Sequence, residues 1–230
     1  MRRLVIPTNC TAIDELLGGG LGEGTVMLIY GEAETGKTTL ALQLALNCSS
    51  MGHKALFVDC EGTLRAERLR ALSGGEPTAL ENLTIARPRD FGEQSAIIDS
   101  LESFASAGLA FVAIDTMTGL YRLEISKGAS AFELNRELNR QAAVLAELAR
   151  DYGLAAVMTS QVRAKVGGPE EGVEPVANRI LRYWADVVLC LKLTGQRGLR
   201  IAVLEKGPGA GGPGAAKFFR ITEGGIVDVF

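Results

Sequence analysis

The stretch Val26-Met-Leu-Ile-Tyr30, followed at once by Gly31-Glu-Ala-Glu-Thr-Gly36-Lys37-Thr38, decides the fold. Five apolar residues bounded by glycine are too few for a core helix and read as a buried strand. The next eight residues fit the phosphate-binding pattern GxxxxGK followed by Ser or Thr. TLALQLALNCSS then continues as a helix. Small residues let successive backbone N–H groups turn inward around phosphates, and the helix presents its N-terminus to the same charge. The predicted nucleotide contacts are Gly31, Glu32, Ala33, Glu34, Thr35, Gly36, Lys37, Thr38 and Thr39. Lys37 is placed to reach the β and γ phosphates of ATP, and Thr38 to ligate Mg²⁺. Glu32 and Glu34 are unusual in such a loop, and their carboxylates must face away from the phosphates.

Working outward, ALFVD (55–59), LAFVAID (109–115) and AAVMTS (155–160) read as further buried strands. Helices are predicted over 11–17, with Thr11 as N-cap, and over 64–72, 93–107 and 131–152. In the last, Leu134, Leu138, Ala142, Leu145, Ala149 and Tyr152 follow a 3.6-residue period. A polar loop carrying Arg122 and Lys127 follows the strand 109–115. Strands alternating with helices of this length indicate βαβ units on a largely parallel sheet flanked by helices. Past residue 162 come a glycine-bearing loop and a short helix at 176–184. Four strand-like runs, VVLCLKL, LRIAVLE, AKFFRI and GIVDVF, then read as an antiparallel extension of the same sheet. No internal repeat or long linker interrupts the α/β pattern, so residues 1–230 are expected to form a single core domain.

Composition narrows the class. With 47% hydrophobic and 22% charged residues over 230 positions, the chain has the makings of a folded core, which excludes a disordered tail. The four cysteines, Cys10, Cys48, Cys60 and Cys190, have neither metal-knuckle spacing nor the density of a disulfide framework. The N-terminus has no signal-peptide core and no apolar run is long enough to span a membrane, so a cytoplasmic, reducing setting is expected. Net charge is −3, but unevenly spread. Residues 1–162 hold 14 basic and 20 acidic side chains, and residues 163–230 hold 10 and 7.

Candidate chemistry sits at the strand ends. Asp115 closes Phe-Val-Ala-Ile-Asp, the second nucleotide-site pattern, where a carboxylate can hold Mg²⁺ through water. Glu61, in Asp59-Cys60-Glu61-Gly62, is placed to polarise a water for in-line attack, with Asp59 as its rival. Gln161 ends the strand 155–160, where a neutral amide could sense the γ-phosphate. Arg122 and Lys127 in one loop, and Arg163 and Lys165 in another, could offer backbone contacts to DNA. Glu170, Glu171 and Glu174 oppose the second pair.

Taken together, IDELLGGGLGEG, GEAETGKTT, VDCEGTLRAERL, FVAID, MTSQV and FFRITEGGIVD resemble the RecA-like P-loop ATPase core of the archaeal RecA/RadA superfamily, and in its short form the RadB group of recombinase paralogues. The resemblance covers residues 4 to 230. It implies that Glu61 is the catalytic base, that Gln161 is the sensor, that Arg65 packs near the adenine, and that segments 120–131 and 162–176 are DNA-binding loops. It also implies an accessory role in DNA repair and homologous recombination, with feeble ATP hydrolysis. The implied partners are DNA, single-stranded favoured, the main archaeal recombinase and a Holliday-junction resolvase. Two alternatives share the core: a clock-protein-like signalling ATPase, and a binding module switched by ATP without hydrolysis.

The sequence also departs from the family. It begins where the ATPase core of full-length recombinases begins, so their helix-hairpin-helix domain and docking linker are expected to be missing. Weak self-association, as monomers or dimers, follows. At 205–207 the chain reads Glu-Lys-Gly in place of the family's Asp-Ser-Pro cap. Lys206 is therefore a candidate cation acting on a neighbour's ATP, with Glu205 as a competing salt-bridge partner and a flexible glycine-rich segment after it.

Overall fold

The computed structural model describes residues 3–164, 173–209 and 211–229. A short ribbon comes first. β1 (Val5–Ile6) leads into α1 (Thr11–Leu17), and β2 (Leu21–Gly22) pairs back on β1. The predicted central strand is β3 (Val26–Gly31), and every residue in it is buried, as a parallel strand covered on both faces must be. It feeds α2 (Lys37–Ser50), then β4 (Lys54–Asp59), α3 (Ala66–Leu72) and α4 (Thr78–Glu81). Next come β5 (Leu83–Ala86), α5 (Phe91–Ser106), β6 (Leu109–Asp115), α6 (Gly119–Ser126), α7 (Ala131–Tyr152) and β7 (Ala155–Ser160). A ribbon of β8 (Val162–Ala164) and β9 (Val173–Pro175) precedes α8 (Asn178–Trp184). The chain finishes with β10 (Val187–Leu193), β11 (Leu199–Lys206), β12 (Ala216–Thr222) and β13 (Gly225–Val227).

The result is an α/β fold around a nine-stranded mixed sheet, in the order β13-β12-β11-β10-β3-β7-β6-β4-β5. The six strands from β10 to β5 pair in parallel, and β11, β12 and β13 are added by antiparallel pairing. One expectation is corrected here. VVLCLKL does not belong to the antiparallel extension. As β10 it lies parallel beside β3, with Val187 opposite Met27 and Leu191 opposite Gly31. α8 supplies the crossover that parallel pairing requires.

One face of the sheet packs on α1 and α2 through Phe57, Phe111 and Leu42, and the other on α5 and α7 through Ile98, Leu138 and Leu145. Phe57 and Phe111 are fully buried, and truncating either to alanine would cost about 3–5 kcal/mol. α7 starts where the Ser130 hydroxyl accepts from Glu133 N–H and stops at Gly153, whose φ of 70° is left-handed. Its periodic residues face the core except Tyr152, which is 43% exposed and meets Glu102 instead.

Two further local readings are corrected. Cys10, not Thr11, occupies the N-cap of α1, and the Asp228 carboxylate accepts from the N–H groups of Thr11 (2.9 Å) and Ala12 (2.8 Å). The polar loop expected after residue 115 is largely helical, as α6. Among the described residues, no helix is long and apolar enough to cross a membrane.

Candidate nucleotide and DNA site

Parallel strands deliver their C-terminal ends to one edge of the sheet, where ligands of open α/β sheets bind. Here β3, β4, β6 and β7 end beside one another, and the loops that leave them carry Lys37, Glu61, Thr116 and Gln161. These side chains, with Gly31, Ala33, Glu34, Thr38 and Val162, line a single cavity of about 420 Å³.

The loop between β3 and α2 is tightly built. A Cβ on Gly31 would lie 2.2 Å from the Leu191 carbonyl oxygen, so only glycine lets β10 pass this close. Gly36 has φ 101°, and a Cβ there would lie 2.8 Å from Ile221 Cδ1. The Thr35 hydroxyl donates to the Glu32 carbonyl over 2.8 Å. Glu32 and Glu34 are both exposed, and Glu34 borders the cavity. Lys37 is buried, and its Nζ donates to the carbonyls of Gly31 (2.9 Å) and Glu32 (2.7 Å). Burial lowers its pKa, against the pull of Asp115, Glu61 and Glu32.

α2 opens with Gly36 at the N-cap, no side-chain cap bond and no acidic residue in its first turn. Such an end favours an anion. On the cavity wall the buried Thr116 hydroxyl lacks a hydrogen-bond partner. A buried cation, an uncapped helix end and an orphaned hydroxyl around one cavity fit a polyphosphate. Asp115, 2% exposed, accepts from the Thr159 hydroxyl over 2.5 Å and is also bonded by Thr38. Burial raises its carboxyl to about 6, and the Thr159 and Thr38 bonds work against that rise. Thr38 and Asp115 thus supply the oxygen pair suited to a hard divalent cation.

The two rival acids separate cleanly. Asp59 is 1% exposed, accepts from Thr63 N–H (3.2 Å) and Leu64 N–H (3.0 Å), and pairs with Arg87 at 3.2 Å. It shapes the loop after β4. Glu61 is exposed into the cavity, and its Oε1 accepts from Gln161 Nε2 over 2.7 Å.

Other predicted residues lie apart from this group. Arg65 precedes α3 and faces solvent, outside the cavity lining. One turn later Arg68 reaches Thr39 Oγ1 and the Glu223 carbonyl, each at 3.0 Å. Only the helical spacing of the two arginines could have suggested it. Lys206 lies opposite Val188, outside the lining of the cavity at the loop 31–38, and its Nζ donates to the Ala185 carbonyl. The suggested Lys206–Glu205 pair does not form, because successive strand residues point to opposite faces. Glu205 binds Arg182 and accepts from the Tyr30 hydroxyl at 2.7 Å. The segment after Lys206 is not simply loose: Gly209 is buried where a Cβ would sit 1.6 Å from the Leu16 carbonyl oxygen.

Of the basic residues assigned to DNA, Arg122 lines a second cavity of about 920 Å³ with Tyr121, Ile125, Asn135, Glu174 and Arg179. It also donates to Gln161 Oε1. Lys127 pairs with Glu124 at 2.8 Å on the surface. The Arg163 backbone pairs with Glu174 in the β8–β9 ribbon, and Lys165 lies outside the described residues.

A family model described as Rad51 matches residues 1–229. The DNA repair and recombination protein RadB of Archaeoglobus fulgidus is 36% identical over 228 residues, covering 98% of this chain and 99% of that protein. The chain belongs to the archaeal RadB family, paralogues of the RecA/RadA recombinases. RadB of Thermococcus onnurineus is 35% identical over 229 residues (98% of each chain), and that of Methanosphaera stadtmanae 30% over 227 (97% and 96%). A crystal structure of the RadB recombinase superposes with a TM-score of 0.82 at 34% identity, covering 98% of this chain and all of that one.

Proposed function

We propose that this chain is a RecA-like P-loop protein that binds ATP with Mg²⁺, hydrolyses it slowly, and assists DNA repair and homologous recombination. The observation that carries the reading is the single cavity that gathers Lys37, Thr38, Glu61 and Gln161 from three separate strand ends. Membership of a family whose relatives are named for DNA repair and recombination supports the process.

In this reading the backbone of residues 31–38 and the Lys37 ammonium take the phosphates. Thr38 and Asp115 hold the cation, which when bound neutralises charge on the transferring phosphoryl group. Glu61 accepts the proton of an attacking water. Gln161 bonds Glu61 and so fixes where its carboxylate points. Arg122 and the neighbouring groove receive DNA, single strands in preference, with Arg163 and Lys165 in the second loop contributing. The main recombinase and a junction resolvase are the protein partners, and self-association is weak.

Titration of ATP with and without Mg²⁺, beside turnover with and without a single-stranded oligonucleotide, tests the reading. Lys37→Ala should abolish tight binding while the protein stays folded. Wild-type affinity in that variant would overturn the site. Because one Glu61 oxygen is already engaged by Gln161, an ATP switch without turnover is the second reading. Stoichiometric binding with background hydrolysis, even with DNA, would favour it.

A further inference from the structure

Four buried hydroxyls gather where β6 and β7 end, and one of them is idle. Thr159 donates to Asp115 Oδ1 over 2.5 Å, and the hydroxyls of Thr118 and Ser160 meet at 3.3 Å. Thr116, 2% exposed, follows β6 beside them, and its Oγ1 has no hydrogen-bond partner. Burying a hydroxyl with nothing to bond is unfavourable, and folded proteins rarely do it without cause. Thr116 borders the cavity that also holds Lys37, Glu61 and Gln161.

The backbone beside this hydroxyl is fastened. Met117 N–H donates to the Thr159 carbonyl over 3.0 Å, and the Met117 carbonyl accepts from Gln94 Nε2 over 3.3 Å. Gln94 is fully buried, and the same nitrogen donates to Gln141 Oε1 over 2.8 Å. Gln141 Nε2 donates in turn to Glu137 Oε1 over 3.2 Å. A row of side-chain amides therefore runs from α7 through α5 to the residue after Thr116. It holds the chain there and leaves the hydroxyl itself unused, which is how a precise polar contact is preorganised.

Glu61 is the other group at this spot. A Cβ on Gly119 would have Thr116 Oγ1 (2.9 Å), Glu61 Cγ (3.7 Å) and Glu61 Oε1 (3.9 Å) as its nearest atoms, so glycine at 119 leaves the ground beside both side chains open. Gln161 occupies Glu61 Oε1, and among the described residues Oε2 has no hydrogen bond.

We propose that Thr116 is a further catalytic residue: its hydroxyl accepts a hydrogen bond from the attacking water while Glu61 accepts a proton from it. The inference rests on the reading of Glu61 given above. A water has two protons to place. One passes to Glu61, and the other is held by Thr116 Oγ1. Two acceptors fix the water in one orientation where a single acceptor would leave it free to turn. Its lone pair then forms the new bond to the γ-phosphorus, as the bond from that phosphorus to the bridging oxygen breaks and its electron pair leaves with ADP.

The test uses the full chain with Mg²⁺ and two nucleotide probes, titrated by calorimetry beside turnover. One is β,γ-imido-ATP, which resembles the bound substrate. The other is ADP with aluminium fluoride, which carries an in-line water and resembles the transition state. Thr116→Val keeps the side chain's shape and loses no bond, so it should melt no lower than wild type. It should bind β,γ-imido-ATP normally, bind ADP with aluminium fluoride about 3–10-fold more weakly, and lose kcat by a similar factor with KM little changed. Thr116→Ser should restore most of the loss. Equal weakening of both probes would make the hydroxyl an ordinary phosphate contact and overturn the proposal, as would wild-type behaviour of Thr116→Val. Glu61→Gln separates the two layers. If it loses turnover and the aluminium fluoride complex while Thr116→Val loses neither, the base stands and this proposal falls. If only Thr116→Val shows the selective loss, the base is misassigned and Thr116 keeps its role. A wild-type protein that binds β,γ-imido-ATP, has no turnover and gains no affinity with aluminium fluoride overturns both.

Discussion

Arg200, on β11, donates its Nε to the carbonyl oxygen of Glu34 over 2.9 Å, joining residues 166 positions apart. Glu34 has φ 63°, a left-handed conformation that costs a non-glycine residue about 1–2 kcal/mol. The guanidinium thus braces the loop 31–38 at its strained residue. Arg200→Ala should weaken ATP binding about 3–10-fold, a fraction of the worth of one charge-assisted bond, while the melting temperature stays within a few degrees. Calorimetric titration measures it, and unchanged affinity would show that the loop holds its own shape.

Asp59 and Glu61 should behave oppositely on substitution. Glu61→Gln keeps ATP affinity and loses about 10²–10⁴ in turnover. Asp59→Ala leaves two backbone N–H groups without their acceptor and takes the carboxylate from Arg87, which keeps the Leu64 carbonyl, so it lowers the melting temperature first. Parallel melts and single-turnover assays distinguish them. A stable Asp59→Ala protein with no turnover, beside an active Glu61→Gln, would reverse the roles.

Asp115 sets a pH dependence whose sign is fixed by its raised pKa of about 6, against 3.8 for a free carboxyl. Proton binding favours the folded state fully below the ordinary value, and that contribution is lost as pH rises through about 6. Above it, the apoprotein carries a buried charge at a cost of about 3 kcal/mol. Asp115→Asn should therefore melt higher than wild type at about pH 8, with the gap closing toward about pH 4. The same variant should lose Mg²⁺-dependent ATP affinity, and wild-type affinity should decline as pH falls through 6. Equal melting curves at all pH values would refute the first part.

Gly36→Ala faces two obstacles, the left-handed φ of 101° and the 2.8 Å approach to Ile221 Cδ1. It should abolish tight ATP binding. Adding Ile221→Ala removes the collision but not the backbone strain, so the double variant should recover only part of the affinity. Full recovery would show that the collision alone mattered.

The parallel half of the fold was legible because buried strands and periodic helices write their environment into local sequence. Val26–Gly31 and the stripe along α7 are examples. β5 was missed because, as an edge strand of four residues with none fully buried, it has no long apolar run. β10 was misassigned because a strand with six apolar residues in seven reads alike in either direction, and only the crossover through α8 settles it. At the site, the loop 31–38 was legible from spacing, and Gln161 from its position at a strand end. The parts contributed by Arg200, Arg68 and Arg87 were not. Each depends on a partner that sequence distance conceals, as with Arg68 and Glu223, 155 residues apart.

Gln43, midway along α2, has a further consequence. Its Nε2 donates to the carbonyls of Thr8 and Ile226, and its Oε1 accepts from Ile226 N–H at 2.8 Å. With Asp228 on the N–H groups of Thr11 and Ala12, the first and last described segments are clasped over one helix. These two described segments are therefore neighbours in space. Joining the chain's ends with a short linker and reopening it in the exposed turn at Gly195–Arg197 would produce a circular permutant with the same nine-stranded sheet. In that permutant β11, β12 and β13, now made last in synthesis, would be made first, ahead of the helices α1 and α2 that they pack on, so the order of assembly would change while the nine-stranded sheet is kept.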